Sequence, residues 1–344
     1  MQLTTFQTLA LLFLSFISVG TFTPLMRNLA FKIDFMDYPN SSHKSHTEKT
    51  PYLGGVAIIL GIIFVTFGAL FSQGNLRGNA WTAITLFLPA LTLGIVGLID
   101  DRKALHPFPR FVAQTAVGIF TSFVIISTDT VGNPSRNSLL DAAITIVWIV
   151  GIINSINFFD NLDGGAAGAV AATSLGLALI TYASGQYLLC ATSISVLGAV
   201  LGFLIWNRNP AKIYMGDAGS LFLGTILSVL TIRLNPRVDS QIVSFSIPIL
   251  LLAVPVLDTS VAVLSRIRRG VSIFQGGQDH LSHRLIRNGY SKRQTAFRLW
   301  LLCLVFVAFA VMLASNSALS NALIIGALTL WIVLLVTFLR ISDD

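Results

Sequence analysis

Charged residues are scarce in this sequence. Only 11% of its 344 residues are Asp, Glu, Lys or Arg, whereas 54% are hydrophobic. Soluble domains carry about 25% charged residues, so a water-soluble globule is excluded. A formal charge of +7 at such low charge density is also not the signature of a nucleic-acid-binding protein. The composition therefore predicts an integral membrane protein that has no nucleic-acid partner.

Cysteine and glutamate are also rare. Cys190 and Cys303 are the two cysteines, and both fall in apolar runs without metal-ligand spacing, which argues against a disulfide framework or a zinc site. Glu48 is the one glutamate, and the other fourteen acids are aspartates. This bias indicates short carboxylates that are held at defined points rather than a solvated acidic surface.

Long apolar runs account for most of the chain. A membrane-spanning helix needs about 20 apolar residues, and eleven runs approach that length. They predict an all-α polytopic membrane protein with about eleven transmembrane helices, in one domain over 1–344. The runs lie near 2–23, 52–73, 80–99, 111–127, 139–157, 165–183, 186–206, 218–232, 241–262, 296–314 and 319–339.

The distribution of basic residues predicts the orientation. Eighteen of the 22 Lys and Arg fall in one set of alternate loops, which the positive-inside rule assigns to the cytoplasm. The N-terminus is then outside and the C-terminus inside. The first run has no basic residue before Arg27, the reverse of a signal peptide, so it is expected to be a retained helix.

Five polar segments fall in the same cytoplasmic set of loops, which predicts one shared site on that face. An Asp near the centre of a membrane helix costs about 2.5–3.5 kcal/mol, and the cost falls toward the interface. Acids that are kept at span ends against this cost are functional candidates. The segments are about 24–51, 100–110, 154–165, 207–220 and 263–295, and the acids at span ends are Asp100, Asp160, Asp163 and Asp217.

Oxygen ligands recur in these segments. Asn154, Asn157, Asp160 and Asp163 follow one another at every third position, so on a helix they would lie along one side. Such groups suit Mg²⁺, which is typically held by one or two carboxylates together with substrate phosphates. Asp217 near a helix start is expected to be a metal ligand. Its neighbours Gly216 and Gly219 would let the backbone approach a phosphate, and Tyr214 could stack on a base.

Basic residues around these acids indicate a phosphorylated substrate. Lys44, Arg110 and Arg284 are the cations we select as substrate-binding candidates. His280 and His283 are spaced for a transition metal, for a phosphate or for capping a loop helix, and phosphate contact fits best beside so many basic neighbours. Asp258, which follows Pro255, remains open and could be a structural partner at a helix break.

Five ordered motifs resemble those of the polyprenyl-phosphate N-acetylhexosamine-1-phosphate transferases. They include DDxxxLxP from Asp100 and MGDxGS from Met215, and the resemblance spans about residues 34 to 295. The family includes undecaprenyl-phosphate GlcNAc-1-phosphate transferases and phospho-MurNAc-pentapeptide translocase. Its members are described with ten or eleven helices, a cytoplasmic active site in the cell membrane and, in some cases, a dimeric state.

The resemblance implies that a polyprenyl phosphate, such as undecaprenyl phosphate, attacks the β-phosphorus of a UDP-N-acetylhexosamine and releases UMP. Mg²⁺, or Mn²⁺ in its place, would steady the diphosphate charge. Matching positions imply that Asp100 and Asp101 are a proton acceptor and metal ligand, and that Asp217 binds the metal. The nucleotide positions are Asn157, Asp160, Asp163, Asn207 and Tyr214, the basic residue of the first loop is Lys44, and the histidines that meet the diphosphate are His280 and His283.

The chain departs from the family pattern at four positions. Asn161 replaces the Gly of DGxDG, Ser282 replaces one His of the histidine motif, His43 replaces a basic residue, and Arg110 replaces a Lys. Ser282 favours the branch that uses smaller sugars over the translocase. Two further alternatives are a non-catalytic relative, against which Asp100, Asp101 and Asp217 argue, and a secondary transporter, against which the one-sided clustering of acids argues.

Overall fold

Apolar runs of this length form helices in a membrane because every backbone N–H and C=O must find its partner within the segment. A computed structural model describes residues 3–38, 49–72, 76–127, 137–273, 276–315 and 318–341. Within these ranges the chain forms thirteen α-helices and one short strand pair. The predicted all-α, multi-pass membrane class is confirmed.

The helices follow the predicted runs closely, with one strand pair between the first two. β1 (Met36–Asp37) pairs antiparallel with β2 (Thr50–Pro51). The helices are α1 (Thr5–Lys32), α2 (Gly54–Ser72), α3 (Leu76–Lys103), α4 (Pro107–Ser127), α5 (Ser138–Phe159), α6 (Gly165–Ala183), α7 (Tyr187–Asn207), α8 (Gly216–Ile232), α9 (Gln241–Leu251), α10 (Ala253–Arg268), α11 (Leu281–Arg287), α12 (Lys292–Ser315) and α13 (Ser320–Arg340).

Among the described residues, eight helices are long and apolar enough to cross a membrane. Helices α9 and α10 together make a ninth candidate, although they meet at an angle of 72°. The run expected over 241–262 therefore consists of two helices, which break at Leu252. Pro255 favours a helix start there, because it has no N–H to donate and the first turn of a helix does not need that donor.

The short helix α8 lies at the centre of the bundle. All of its residues except Asp217 and Ile232 are buried, and it packs against α2, α3, α5 and α6. Around this centre, α1 packs on α7, and α12 packs on α6. Large apolar side chains on the outer helices are exposed, as expected for surfaces that face lipid.

Two predicted site loops are shorter than expected because the helices continue into them. Asp100 and Asp101 lie in the last turn of α3, which ends beyond Lys103 where Ala104 adopts a φ of 48°. Basic residues in a last turn favour its continuation through the helix dipole. Helix α5 ends at Phe159, so the expected helical stripe from Asn154 to Asp163 stops before its two aspartates.

Glycines allow α3 and α2 to approach the start of α8 closely. A Cβ on Gly97 of α3 would lie 2.3 Å from the carbonyl oxygen of Asp217, and one on Gly55 of α2 would lie 2.2 Å from the backbone nitrogen of Gly219. Neither neighbour can move aside easily, since both are backbone atoms. The absence of a side chain at Gly55 and at Gly97 therefore determines where α8 begins.

We expect the substitution Gly97→Ala to lower the free energy of unfolding by about 1–3 kcal/mol, because the added methyl overlaps backbone. Thermal unfolding in detergent would measure the loss. Gly151→Ala is the matched control, since a Cβ at Gly151 has no atom within 4 Å. Equal stability of the two variants would contradict the proposed role of the close helix contact.

Candidate active site

Asp101 fixes the first turn of α8. Its Oδ1 accepts a hydrogen bond from the backbone N–H of Asp217 (2.8 Å), and its Oδ2 accepts one from that of Ala218 (3.0 Å). These are N–H groups that a helix start leaves without partners, so a carboxylate there also benefits from the helix dipole. Gly216 makes the approach possible, since its φ is 69° and a Cβ would lie 2.6 Å from Asp101 Oδ2.

Arg110 joins two further carboxylates. Its Nη1 donates to Oδ2 of Asp100 and to Oδ2 of Asp217, the latter at 2.7 Å. Asp100 also accepts from the backbone N–H of Leu105 at 2.6 Å. Its side chain is only 5% exposed, whereas that of Asp217 is 26% exposed. Of this pair, Asp217 is the carboxylate that a ligand can reach.

Asn157 completes the surroundings of Asp217 from α5. Its amide nitrogen donates to Asp217 Oδ1 at 2.6 Å and to the hydroxyl of Ser220 at 2.9 Å. Asn154, one turn earlier, instead bonds to Gln114 at 2.6 Å. The structure thus brings Asn157 to the acids and directs Asn154 toward α4.

Asp160 and Asp163 lie on the turn after α5, in contrasting environments. Asp163 accepts from the amide of Asn209 at 2.8 Å and from the backbone N–H of Ala211 at 3.1 Å. For the carboxylate of Asp160 the described residues provide no hydrogen-bond donor. Burial, and then the charges of Asp217, Asp101 and Asp163, raise the pKa of Asp160 well above its usual value. A nearby cation or a bound proton would therefore stabilise Asp160.

Backbone pairing holds Tyr214 beside the same cluster. The N–H of Tyr214 donates to the carbonyl of Pro51 at 2.8 Å, and the N–H of Gly54 donates to the carbonyl of Tyr214 at 3.1 Å. The Tyr214 ring lies 6.0 Å from the ring of Tyr52. Burial raises the pKa of Tyr214 to about 12, so at neutral pH its phenol keeps its proton.

The histidine loop is anchored by Asp258 of α10. Its Oδ2 lies 2.7 Å from Nδ1 of His280, and its Oδ1 accepts from the backbone N–H of Leu281 at 2.7 Å. A carboxylate on one ring nitrogen orients a histidine, and the other nitrogen of His280, Nε2, lies 3.4 Å from Nη2 of Arg266. Asp258, which the sequence left open, is therefore the partner of His280. The one advance signal for it is an acid inside an otherwise apolar run.

Arg266 of α10 and Arg269, which directly follows that helix, hold Asp279, the residue before His280. Arg266 donates two hydrogen bonds to Asp279, each 2.8 Å long, and Arg269 donates a third of 2.7 Å. Burial alone would raise the pKa of Asp279, but the bonds from Arg266 and its charge keep that pKa below its usual value. This buried ion pair was not predicted from the sequence, because the basic residues of that segment were interpreted only as indicators of membrane orientation.

His283 shares α11 with Leu281 and lies near His280, with the ring centroids 5.9 Å apart. Its Nδ1 is buried without a hydrogen-bond partner among the described residues. Burial, and then the charge of His280, lower the pKa of His283 to about 4, so the ring is neutral at pH 7. A neutral ring with an unpartnered nitrogen can accept or donate a hydrogen bond to a bound group.

Two predicted substrate ligands, Arg284 and Asn207, have their polar atoms committed to hydrogen bonds inside the protein. Arg284 is 1% exposed and donates to the carbonyls of Asp279, Phe338 and Ile341. Asn207 is 2% exposed; it accepts from the N–H of Gly164 at 3.0 Å and donates to the carbonyl of Ile213 at 3.0 Å. Both residues hold loops in place and have no surface to offer a ligand.

Protein atoms also occupy the space beside the glycines of the MGD segment, so that space is not open to a phosphate. The Asp101 carboxylate occupies the space beside Gly216, and a Cβ on Gly219 would lie 2.3 Å from Cγ of Met215. Lys44, the predicted basic residue of the first loop, lies outside the described residues. Hydrogen bonds join five of the other predicted residues into one connected cluster: Asp100, Asp101, Asn157, Asp217 and Arg110.

Comparison with known proteins finds a family and several relatives. Residues 82–235 match the family model described as Glycosyl transferase family 4. The chain is 32% identical, over 95% of its length and 87% of the relative's, to a probable undecaprenyl-phosphate N-acetylglucosaminyl 1-phosphate transferase of Bacillus subtilis. It is 31% identical to a decaprenyl-phosphate N-acetylglucosaminephosphotransferase of Mycobacterium tuberculosis, over 93% of this chain and 86% of the relative.

A third relative comes from the other branch considered above. It is a phospho-N-acetylmuramoyl-pentapeptide-transferase of Halalkalibacterium halodurans, 28% identical over 85% of this chain and 91% of the relative.

We expect Asp258 and His280 to be energetically coupled. In a double-mutant cycle of Asp258→Asn and His280→Gln, followed by unfolding in detergent, the coupling should be about 1.5–3 kcal/mol, the usual range for a hydrogen bond to a charged group. As a control, Asp258→Asn combined with His106→Gln should be additive within about 0.5 kcal/mol. His106 is exposed and bonds within its own loop. Additivity of the first pair would show that Asp258 does not hold His280.

Proposed function

The chain belongs to glycosyl transferase family 4, and we propose that it transfers an N-acetylhexosamine 1-phosphate from a UDP-sugar to undecaprenyl phosphate. An oxygen of the lipid phosphate attacks the β-phosphorus, the bond from that phosphorus to the bridging oxygen breaks, and UMP leaves. The product, a polyprenyl-diphosphate sugar, would initiate synthesis of a cell-envelope glycan. The names of the Bacillus and Mycobacterium relatives support GlcNAc as the sugar.

The observation that carries the proposal is the gathering of carboxylates around Asp217 at one end of an apolar bundle. Asp100, Asp101 and Asn157 surround Asp217, and Arg110 is the cation that bridges it to Asp100. Phosphoryl transfer depends mainly on positioning and on charge stabilisation. An oxygen-rich, partly buried cluster beside cationic groups is the arrangement that this chemistry requires.

These residues fit a magnesium ion. No three acidic, histidine or cysteine side chains in the described ranges form a metal cage by themselves. Mg²⁺ is typically held by one or two protein carboxylates together with water and substrate phosphates. Asp217, a quarter exposed, and Asp160, which has no donor partner in the part of the chain that the structure describes, are the carboxylates we assign to it. Bound there, Mg²⁺, or Mn²⁺ in its place, would neutralise charge on the diphosphate.

The other site residues divide into positioning and binding roles. Both oxygens of Asp101 accept backbone N–H groups of α8, so we assign to Asp101 the positioning of Asp217. Arg110 also has a positioning role, because it donates a hydrogen bond to Oδ2 of Asp100. His280 and His283 would contact the diphosphate, Asp163 would help to shape the nucleotide pocket, and the Tyr214 phenol would lie beside the base.

We further propose eleven membrane passes in the cell membrane, with the site facing the cytoplasm. The count takes α9 with α10 as one pass and includes the short apolar helices α2 and α8. Eighteen of 22 Lys and Arg then lie on the side of the site, as the positive-inside rule requires. The N-terminus would be outside and the C-terminus inside.

The function is tested by measuring UMP release from a panel of UDP-sugars by the purified protein with undecaprenyl phosphate. We expect Mg²⁺-dependent turnover of UDP-GlcNAc or a related UDP-N-acetylhexosamine. Asp217→Asn should lower kcat at least about 100-fold, since several kcal/mol of charge stabilisation would be lost, and Asp100→Asn should also be severe. Asp239→Asn, on an exposed loop at the opposite end of α8, should remain fully active.

Three outcomes would change this assignment. Turnover of UDP-MurNAc-pentapeptide alone would move the protein to the branch of the Halalkalibacterium relative. Full activity of Asp217→Asn would contradict the metal assignment, and silence across the panel from folded protein would contradict the transferase function itself.

The topology is tested with single cysteines and a membrane-impermeant maleimide, since both native cysteines are buried. We expect Asp239→Cys to be labelled in intact cells and Lys103→Cys only after permeabilisation. Both positions are exposed loop or helix-end residues. The reverse pattern would invert the proposed orientation.

A further inference from the structure

Two residues that depart from the family pattern, Asn161 and Ser282, contact each other across 121 positions of sequence. The Ser282 hydroxyl donates a hydrogen bond to Oδ1 of Asn161. The Asn161 amide nitrogen in turn donates to the carbonyl of Phe158 at 2.6 Å. Ser282 is 2% exposed, so bulk water is not a ready alternative partner for its hydroxyl. The two departures are therefore one structural feature.

This pair lies where two parts of the site meet. Asn161 follows Asp160 on the turn after α5, and Ser282 lies between His280 and His283 on α11. The Phe158 ring packs edge-on against the His280 ring, with centroids 5.8 Å apart. The hydrogen bond and this ring contact together join the turn that carries Asp160 and Asp163 (the carboxylate turn) to the segment that carries His280 and His283 (the histidine loop).

The two side chains are also matched in size. The usual pattern has a glycine at position 161 and a histidine at position 282, whereas this chain has a larger residue at the first position and a smaller one at the second. Because protein interiors are close-packed, a histidine at 282 alone would overlap the Asn161 side chain, and a glycine at 161 alone would leave a gap. Both changes together restore a small residue opposite a large one.

We propose that Asn161 and Ser282 form a positioning pair that sets the separation between the carboxylate turn and the histidine loop. The pair does not touch the reacting atoms; it fixes Asp160 relative to His280 and His283, between which the sugar diphosphate would be held. This inference rests on the proposed transferase function. It explains why the two departures occur together in one chain.

The test compares the kinetics of UMP release by the wild-type chain with Ser282→Ala, Ser282→His, Asn161→Gly and the double variant Asn161→Gly/Ser282→His. Ser282→Ala should lower kcat by a factor of about 2 to 10, the usual worth of one neutral hydrogen bond, with KM for the UDP-sugar nearly unchanged. Ser282→His should lower kcat further. Adding Asn161→Gly to it should raise kcat by about tenfold or more.

Ser193→Ala is the matched control, because its buried hydroxyl bonds to a carbonyl of its own helix α7 and it should retain wild-type kcat. A double variant that is no better than Ser282→His would overturn the proposal, and so would wild-type kcat in Ser282→Ala. If Ser282→His fails to fold, Asn161→Gly/Ser282→Ala takes its place. The kcat of that variant should be no lower than the lower kcat of its two single variants. A kcat reduced by the product of the two single losses would overturn the proposal.

Unfolding midpoints of the same proteins separate this proposal from the function on which it rests. Absence of turnover by the wild type would contradict the transferase function. The unfolding midpoints would then test the coupling of Asn161 and Ser282 by themselves. Non-additive midpoints for Asn161 and Ser282 would then support their coupling, and additive midpoints would overturn it.

Discussion

Carboxylates collected at the end of an apolar bundle must have their charge compensated, because an unpaired buried charge costs several kcal/mol. Here the central compensation is the contact of Asp101 with the free backbone N–H groups at the start of α8. That contact fixes the first turn of α8, and with it the position of Asp217. Gly97 and Gly216 make it possible, since a side chain at either position would occupy the space that the backbone of α8 or the Asp101 carboxylate now fills.

The rest of the site is assembled onto this anchor from two sides. Arg110 and Asn157 reach Asp217 from α4 and α5, and each donates a hydrogen bond to one oxygen of its carboxylate. The histidine loop arrives separately, held to α10 by Asp258 and by the ion pair of Arg266 with Asp279. The carboxylate cluster and the histidine loop are therefore anchored to the bundle independently of each other.

Much of this arrangement could be predicted from the sequence, and the parts that could not be predicted have a common cause. Asp100 and Asp217 were identifiable because an acid at the end of an apolar run is costly and so rarely incidental, whereas Asp101 was identified through the resemblance of the DDxxxLxP segment to a family motif. Asn207 and Arg284 have the same polar character but are buried in hydrogen bonds to loop and helix-end carbonyls. Residue type and position along the chain do not distinguish a side chain that binds a ligand from one that binds its own backbone.

The sequence by itself determined the membrane class, the sequence positions of the helices and the face on which the polar residues gather, because hydropathy and charge act residue by residue along the chain. Only the tertiary structure decided which acids are paired and which are accessible, that Asp258 partners His280, and that Asn161 contacts Ser282. These are contacts between residues far apart in sequence, and they depend on how the helices pack and where each one ends. Because α5 ends at Phe159, Asp160 and Asp163 lie on a turn, although their spacing from Asn154 and Asn157 indicated one continuous helical stripe.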